Sequence, residues 1–134
     1  MTLVEVKTAE LEGKALDWAV LAAMEVNGNQ SYWKNQVLER PQSYTYRPST
    51  DWSHGGPLIG RELISFSEVC SREKDGRNVT SWLATCRPIH QFQNYTSRNS
   101  VFSGEGPTHL IAAMRCLVAS KLGEVVMVPE ELLP

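Results

Sequence analysis

The feature that most constrains the fold is a long apolar stretch near the C-terminus, from Gly104 to Gly123. Gly106 or Thr108 can cap the start of a helix, and Gly123 suits a left-handed C-terminal cap. The apolar residues between these caps are Leu110, Ile111, Ala112, Ala113, Met114, Cys116, Leu117, Val118, Ala119 and Leu122. They surround nearly the whole helix, so the stretch predicts a core helix buried on several sides and too short to span a bilayer.

Other segments carry shorter periodic patterns. Strand patterns lie at 3–7, 63–69, 79–86 and 124–128, and a second helical pattern runs from 12 to 25. On this second helix, Asp17 is predicted to lie on the solvent side. The pair Asp75-Gly76 favours a hairpin between the two middle strands. The sequence therefore predicts an α+β fold, with two main helices packed against a small, mostly antiparallel sheet, and a single domain over 1–134.

Composition narrows the functional classes. The net charge of −2 over 134 residues argues against a protein that binds nucleic acid through an overall positive charge. Three cysteines, Cys70, Cys86 and Cys116, lack CxxC spacing and are odd in number, which favours reduced thiols over a disulfide framework. The N-terminus has no basic region before an apolar run, so no signal peptide is predicted.

Two polar segments, 27–50 and 87–103, are predicted to be loops, with a strand or a short helical turn over 32–38 as the alternative. Their basic and aromatic residues are Lys34, Arg40, Arg47, Tyr32, Trp33, Tyr44 and Tyr46 in the first, and Arg87, Arg98, Phe92 and Tyr95 in the second. Aromatic side chains interleaved with basic ones suit single-stranded nucleic acid, where stacking contributes ~1–3 kcal/mol per base. The simpler interpretation, which we favour, is that these are ordinary polar loops whose aromatic residues cover the edge of the core.

A third segment, 48–60, is rich in turn-forming residues and is predicted to be a compact loop. It contains Asp51, Ser53 and His54, residue types that suggest a hydrolase. A catalytic triad needs these groups hydrogen-bonded in a definite order, and no Gly-x-Ser-x-Gly elbow is present. Two alternatives are a structural turn capped by Asp51 and a binding rim that exposes Trp52. We rank the binding rim above catalysis.

Signals for a metal or cofactor are weak. Cys86 and His90 form one loose pair, whereas zinc sites normally show close ligand pairs on both sides. Residues 104–108 could place a phosphate at a helix N-terminus, but Pro107 lacks a donor N–H and Glu105 adds negative charge. We therefore predict no metal and no cofactor.

Three segments taken together carry a family resemblance. They are residues 16–20 (LDWAV), 48–59 (PSTDWSHGGPLI) and 106–123 (GPTHLIAAMRCLVASKLG). Their order and spacing resemble the NinX-like family of small phage and prophage proteins, a family of unknown function. The resemblance runs from about residue 6 to 132. It implies a phage gene expressed in the bacterial cytoplasm, and it supplies no catalytic residues.

These observations favour a non-enzymatic phage accessory protein that binds a host or phage protein and has no membrane partner. The candidate binding residues are Asp51, Trp52, Ser53, His54, Arg47 and Arg98. The second hypothesis is a single-stranded nucleic-acid binder acting through 27–50 and 87–103. The third is a small-molecule enzyme that uses the Asp51–His54 segment. The sequence leaves the partner and the oligomeric state open.

Overall fold

A computed structural model describes residues 2–24, 31–72, 74, 76, 78–87 and 101–134. The helices are α1 (Gly13–Ala23), α2 (Ser31–Glu39), α3 (Trp52–Arg61) and α4 (His109–Leu122). The strands are β1 (Leu3–Lys7), β2 (Ser65–Arg72), β3 (Asn78–Cys86), β4 (Phe102–Gly106) and β5 (Val125–Pro129). Short 3-10 turns lie at Thr8–Glu10 and Glu130–Leu132. The predicted α+β class is confirmed, with four helices and five strands in the described part of the chain.

Helix α4 is the predicted core helix, and its ends lie where the sequence places them. The Thr108 hydroxyl oxygen accepts a hydrogen bond from the Ile111 N–H at 3.1 Å, which satisfies a free donor of the first turn. Gly123 has a φ of +97°, and its N–H donates to the Ala119 carbonyl oxygen. The helix is buried along most of its length, so it forms the centre of the hydrophobic core.

The strands form two antiparallel sheets in the described residues. One has the order β2-β3-β4, and the other pairs β1 with β5. In the larger sheet Ala84 is in register with Phe66 on one side and with Gly104 on the other. The predicted hairpin is therefore present, whereas the single predicted sheet is replaced by two. Strand β4 begins inside the segment predicted as a loop over 87–103.

Two glycines allow β4 to lie directly on α4. A Cβ atom at Gly104 would overlap the Cys116 backbone nitrogen and lie 2.5 Å from the Ala112 carbonyl oxygen. A Cβ atom at Gly106 would lie 2.8 Å from Cγ2 of Ile111. Because no side chain separates the two backbones, strand and helix pack more closely than ordinary residues allow.

The loop prediction for 48–60 is wrong where a helix forms, and so is the preferred loop interpretation of 27–50, whereas the helical alternative over 32–38 agrees with the structure. Residues 52–61 form α3, and residues 31–39 form α2. Gly55 is buried in α3, where a Cβ atom would overlap the Pro48 carbonyl oxygen and lie 2.6 Å from Cδ2 of Leu110. The glycine that suggested a turn is required for close helix packing instead. Residues 25–30 and 88–100 lie outside the described residues, as do the predicted functional residues Arg98, Phe92, Tyr95 and His90.

The core lies between α1, α4 and the two sheets. Its largest fully buried side chains include Leu11, Leu16, Leu21, Met114, Leu117 and Leu132. Among the described helices, none is long and apolar enough to cross a membrane.

We predict that Gly104→Ala lowers the free energy of unfolding by roughly 1–3 kcal/mol, because the added methyl group meets backbone atoms of α4 that cannot rotate away. The matched control is Gly60→Ala in α3, where a Cβ atom meets nothing within 4 Å. This control should raise stability by roughly 0.5–1 kcal/mol, because alanine favours the helix. Urea denaturation of both variants measures the difference, and equal stabilities would contradict the close β4–α4 contact.

Candidate functional site

Asp51 begins α3 as its N-terminal cap. Its Oδ1 atom accepts hydrogen bonds from the Ser53 hydroxyl at 2.6 Å and from the Ser53 backbone N–H at 2.9 Å. These two hydrogen bonds lower the pKa of Asp51 below its ordinary value. The four predicted site residues from Asp51 to His54 therefore form a helix cap and the first turn of a helix.

His54 is held by the chain that precedes the helix. Its Nδ1 atom accepts a hydrogen bond from the Arg47 backbone N–H at 3.1 Å, so the neutral ring carries its proton on Nε2. The Asp51 Oδ2 atom lies 3.6 Å from Nδ1, beyond ordinary hydrogen-bond distance. Since the Ser53 hydroxyl donates to Asp51 rather than to His54, the order of contacts that activates a serine nucleophile is not formed.

Trp52 leads into a cluster of aromatic rings around His109. The His109 ring stacks on Trp82 with a centroid separation of 3.8 Å and an interplanar angle of 27°. Phe66 approaches His109 edge-on at 5.0 Å, and Trp52 lies 6.1 Å away. The cluster joins the start of α3, strands β2 and β3, and the start of α4. We call Trp52, Phe66, Trp82 and His109 the Trp52 surface.

The exposed part of the Trp52 surface is Trp52 itself. This residue is 56% exposed, whereas Phe66, Trp82 and His109 are half-buried. Such an arrangement offers a large apolar contact that is supported from beneath by ordered rings. The sequence drew attention to Trp52 but not to Trp82 or His109, because their stacking depends on contacts between distant parts of the chain.

A second series of rings leads from α2 to the other side of α3. Successive ring centroids are 5.1 Å apart for Tyr32 and Trp33, 6.2 Å for Trp33 and Tyr46, and 5.0 Å for Tyr46 and His54. Tyr32 and Trp33 are exposed. Tyr32, Trp33 and Tyr46 belong to the predicted aromatic segment 27–50, and the structure brings these three rings into one row with His54.

Two further residues of this segment, Tyr44 and Arg47, have internal partners. Asp17, only 1% exposed, accepts hydrogen bonds from the Tyr44 hydroxyl at 2.6 Å and the Ser49 N–H at 2.8 Å. Arg47 donates from Nε to the Tyr44 carbonyl oxygen at 2.9 Å, and its guanidinium carbon lies 4.1 Å from the Tyr44 ring centroid. Tyr44 is buried, so neither its ring nor the Arg47 face stacked on it is available for stacking on a base.

The prediction that Asp17 faces solvent is wrong. Its carboxylate joins α1 to residues 44–49, the segment that leads into α3. Burial raises the pKa of Asp17 above its ordinary value, and the hydrogen bonds from Tyr44 and Ser49 oppose this rise. A sequence signal was available, because Asp17 interrupts an apolar run that includes Leu16, Trp18 and Ala19.

The cysteines do not form a metal centre in the part of the chain that is described. Cys86 and Cys116 are buried side by side, and Cys70 is exposed. Among the described residues, no three His, Cys, Asp or Glu side chains are grouped to hold a metal ion. His90, the predicted partner of Cys86, lies outside those residues.

The fold and this site define a small α+β protein that displays an ordered aromatic surface at the start of a capped helix. Over residues 7–121 the sequence matches the family model described as Bacteriophage P22, NinX, and the chain belongs to this phage family. No curated protein matches the sequence significantly. The predicted family resemblance is confirmed, and family membership indicates a phage accessory protein.

We predict that Tyr44→Phe lowers the free energy of unfolding by about 1–3 kcal/mol at pH 7, because Asp17 loses a buried hydrogen-bond donor. The folded-state pKa of Asp17 is raised, so its contribution to stability is full below the ordinary value of 3.8 and is lost as pH rises through the folded value. The variant raises that pKa further. Its loss of stability should therefore be larger at pH 7 than at pH 3.

The control for this prediction is Tyr32→Phe, which removes an exposed hydroxyl group and should change stability by less than about 0.5 kcal/mol. Urea denaturation at pH 3 and at pH 7 measures the free energy of unfolding of the wild type, Tyr44→Phe and Tyr32→Phe. A loss for Tyr44→Phe that does not depend on pH would show that its hydrogen bond does not stabilise the charged carboxylate.

Proposed function

We propose that this protein is a non-enzymatic accessory protein that acts in the bacterial cytoplasm by binding a host or phage protein through the Trp52 surface. The observation that carries the proposal is the exposed Trp52 ring at the start of a capped helix, backed by the stacked pair of His109 and Trp82. Membership of a phage family supports the accessory role.

The Trp52 surface is ordered before any partner binds. Asp51 caps the helix that carries Trp52, and the close packing at Gly55 holds that helix against Leu110 of α4. Tryptophan is among the residues that contribute most to protein interfaces, especially where its ring is held rigidly. A pre-ordered ring loses little conformational entropy on binding, so more of its contact energy becomes affinity.

The charges around the Trp52 surface favour a protein partner over nucleic acid. Glu68 is exposed and lies directly across from Trp82 in the sheet, so both side chains are on the same face. Asp51, whose side chain is 46% exposed, precedes Trp52. Carboxylates at these positions repel phosphate groups. They suit a partner with an apolar pocket and basic residues at its rim.

Catalysis by Asp51, Ser53 and His54 has less support. The Ser53 hydroxyl is already donated to the helix cap, and His54 Nδ1 is occupied by the Arg47 N–H. The same contacts stabilise the N-terminal end of α3. We therefore assign these residues to support of the binding surface.

We predict that Trp52→Ala abolishes capture of the partner without unfolding the domain. Tagged wild-type protein is incubated with nuclease-treated bacterial lysate, and bound proteins are identified by mass spectrometry. The matched control is Met127→Ala, which truncates an exposed apolar side chain on β5, in the other sheet. One stoichiometric protein should bind to the wild type and to Met127→Ala. For purified partner, Trp52→Ala should raise Kd by about 30-fold or more, as expected for loss of a central interface residue.

Thermal unfolding of each variant verifies that the fold is retained. Equal capture by Trp52→Ala and wild type would contradict the assignment of the Trp52 surface. Nucleic acid that co-purifies without nuclease, and whose binding is lost with salt, would instead support the single-stranded nucleic-acid hypothesis for 27–50 and 87–103.

A further inference from the structure

Two cysteines from distant parts of the chain meet in the core. Cys86 ends β3, and Cys116 lies in the middle of α4. Their Sγ atoms are 3.3 Å apart, and both residues are present as free thiols. A disulfide bond requires a sulfur separation of about 2.05 Å, so the two atoms need to approach by only about 1.3 Å.

The two thiols differ in their access to solvent. Cys86 lines a cleft of about 380 Å³, whereas Cys116 has no exposed surface. The cleft is lined by Leu63, Ser65, Thr85, Cys86, Arg87 and Val101. A small molecule that enters this cleft therefore reaches Cys86 first, with Cys116 next to it in the core.

The hydrogen bonds also distinguish the two sulfur atoms. The Cys116 thiol donates to Cys86 Sγ, and the Phe102 carbonyl oxygen lies 3.4 Å from Cys116 Sγ as a second acceptor. This donation lowers the pKa of Cys86 to about 7, against the opposing effect of burial, with further help from Ser120 and Lys121 and opposition from Glu62. The contact with Cys86, together with burial, raises the pKa of Cys116.

We propose that Cys86 and Cys116 form an oxidisable dithiol, in which Cys86 reacts with a small hydroperoxide in the cleft and Cys116 then closes a disulfide bond. The positions of the two sulfur atoms assign these roles. Cys86 Sγ lies at the cleft and accepts a hydrogen bond, and the buried Cys116 thiol donates that hydrogen bond.

The reaction balances in two steps. The Cys86 thiolate attacks the terminal oxygen of the hydroperoxide, the O–O bond breaks, and the departing alkoxide takes a proton from water; Cys86 becomes a sulfenic acid. Cys116 then attacks Cys86 Sγ, an S–S bond forms, the S–O bond breaks, and the departing hydroxide takes the Cys116 proton to leave as water. Two thiols are oxidised by two electrons, and the hydroperoxide is reduced to an alcohol and water.

The test exposes folded protein to hydrogen peroxide, removes the excess with catalase, and then blocks free thiols in denaturant. The wild type and Cys70→Ser are both used, because Cys70 is exposed and provides an internal comparison. We expect the Cys70→Ser protein to become lighter by two hydrogen atoms, with the Cys86 and Cys116 peptides joined until dithiothreitol is added. In wild-type protein this bond should form at peroxide exposures that leave Cys70 reduced.

Two further variants assign the roles. In Cys116→Ser, dimedone should label Cys86 as a sulfenic acid; in Cys86→Ser, Cys116 should remain unlabelled while the protein is folded. Both thiols remaining free at exposures that oxidise Cys70 would overturn the proposal, as would dimedone labelling of Cys116 in Cys86→Ser. The wild-type measurement decides the question even where a variant fails to fold.

Discussion

Close contact between the backbones of β4 and α4 determines how the larger sheet lies on the central helix. At Gly104 the strand lies against the helix with no side chain between them. Arg115, one residue before Cys116, reinforces this contact by donating from Nη1 to the Glu105 carbonyl oxygen at 2.7 Å. The same guanidinium donates from Nε to the Leu11 carbonyl oxygen at 2.8 Å, which ties the start of α1 to the same place. The charged residue that interrupts the apolar helix therefore holds three parts of the chain together.

The aromatic site depends on this arrangement through two independent supports. From one side, the β2-β3-β4 sheet presents Trp82 to the first residue of α4, His109. From the other, the buried Asp17 holds residues 44–49, and these position α3 through the Arg47 N–H and the contact of Pro48 with Gly55. The buried hydrogen bonds of Asp17 and the aromatic packing around His109 therefore both help to position Trp52.

The sequence predicted the helix that depends on a local residue pattern, and it missed the elements that depend on close packing between distant segments. Helix α4 was predictable because Thr108 and Gly123 mark its ends and apolar residues fill its length. Helix α3 and strand β4 were missed because Gly55 and Gly104 have low intrinsic propensity for these structures, and tertiary contact overrides that propensity. For the site, Trp52 was predicted as a binding residue. Its support by Trp82 could not be read locally, since 30 positions in the numbering separate the two residues.

The Trp82–His109 stack and the Cys86–Cys116 contact join the same two elements. The four-residue step from Trp82 to Cys86 spans ~13 Å of strand, and the seven-residue step from His109 to Cys116 spans ~10.5 Å of helix. Strand β3 and helix α4 therefore run in the same direction between the two contacts. Both contacts therefore depend on the spacing between β3 and α4. If binding at the aromatic end alters that spacing, thermodynamic linkage requires that oxidation at the sulfur end alter the affinity in return, by the same free energy.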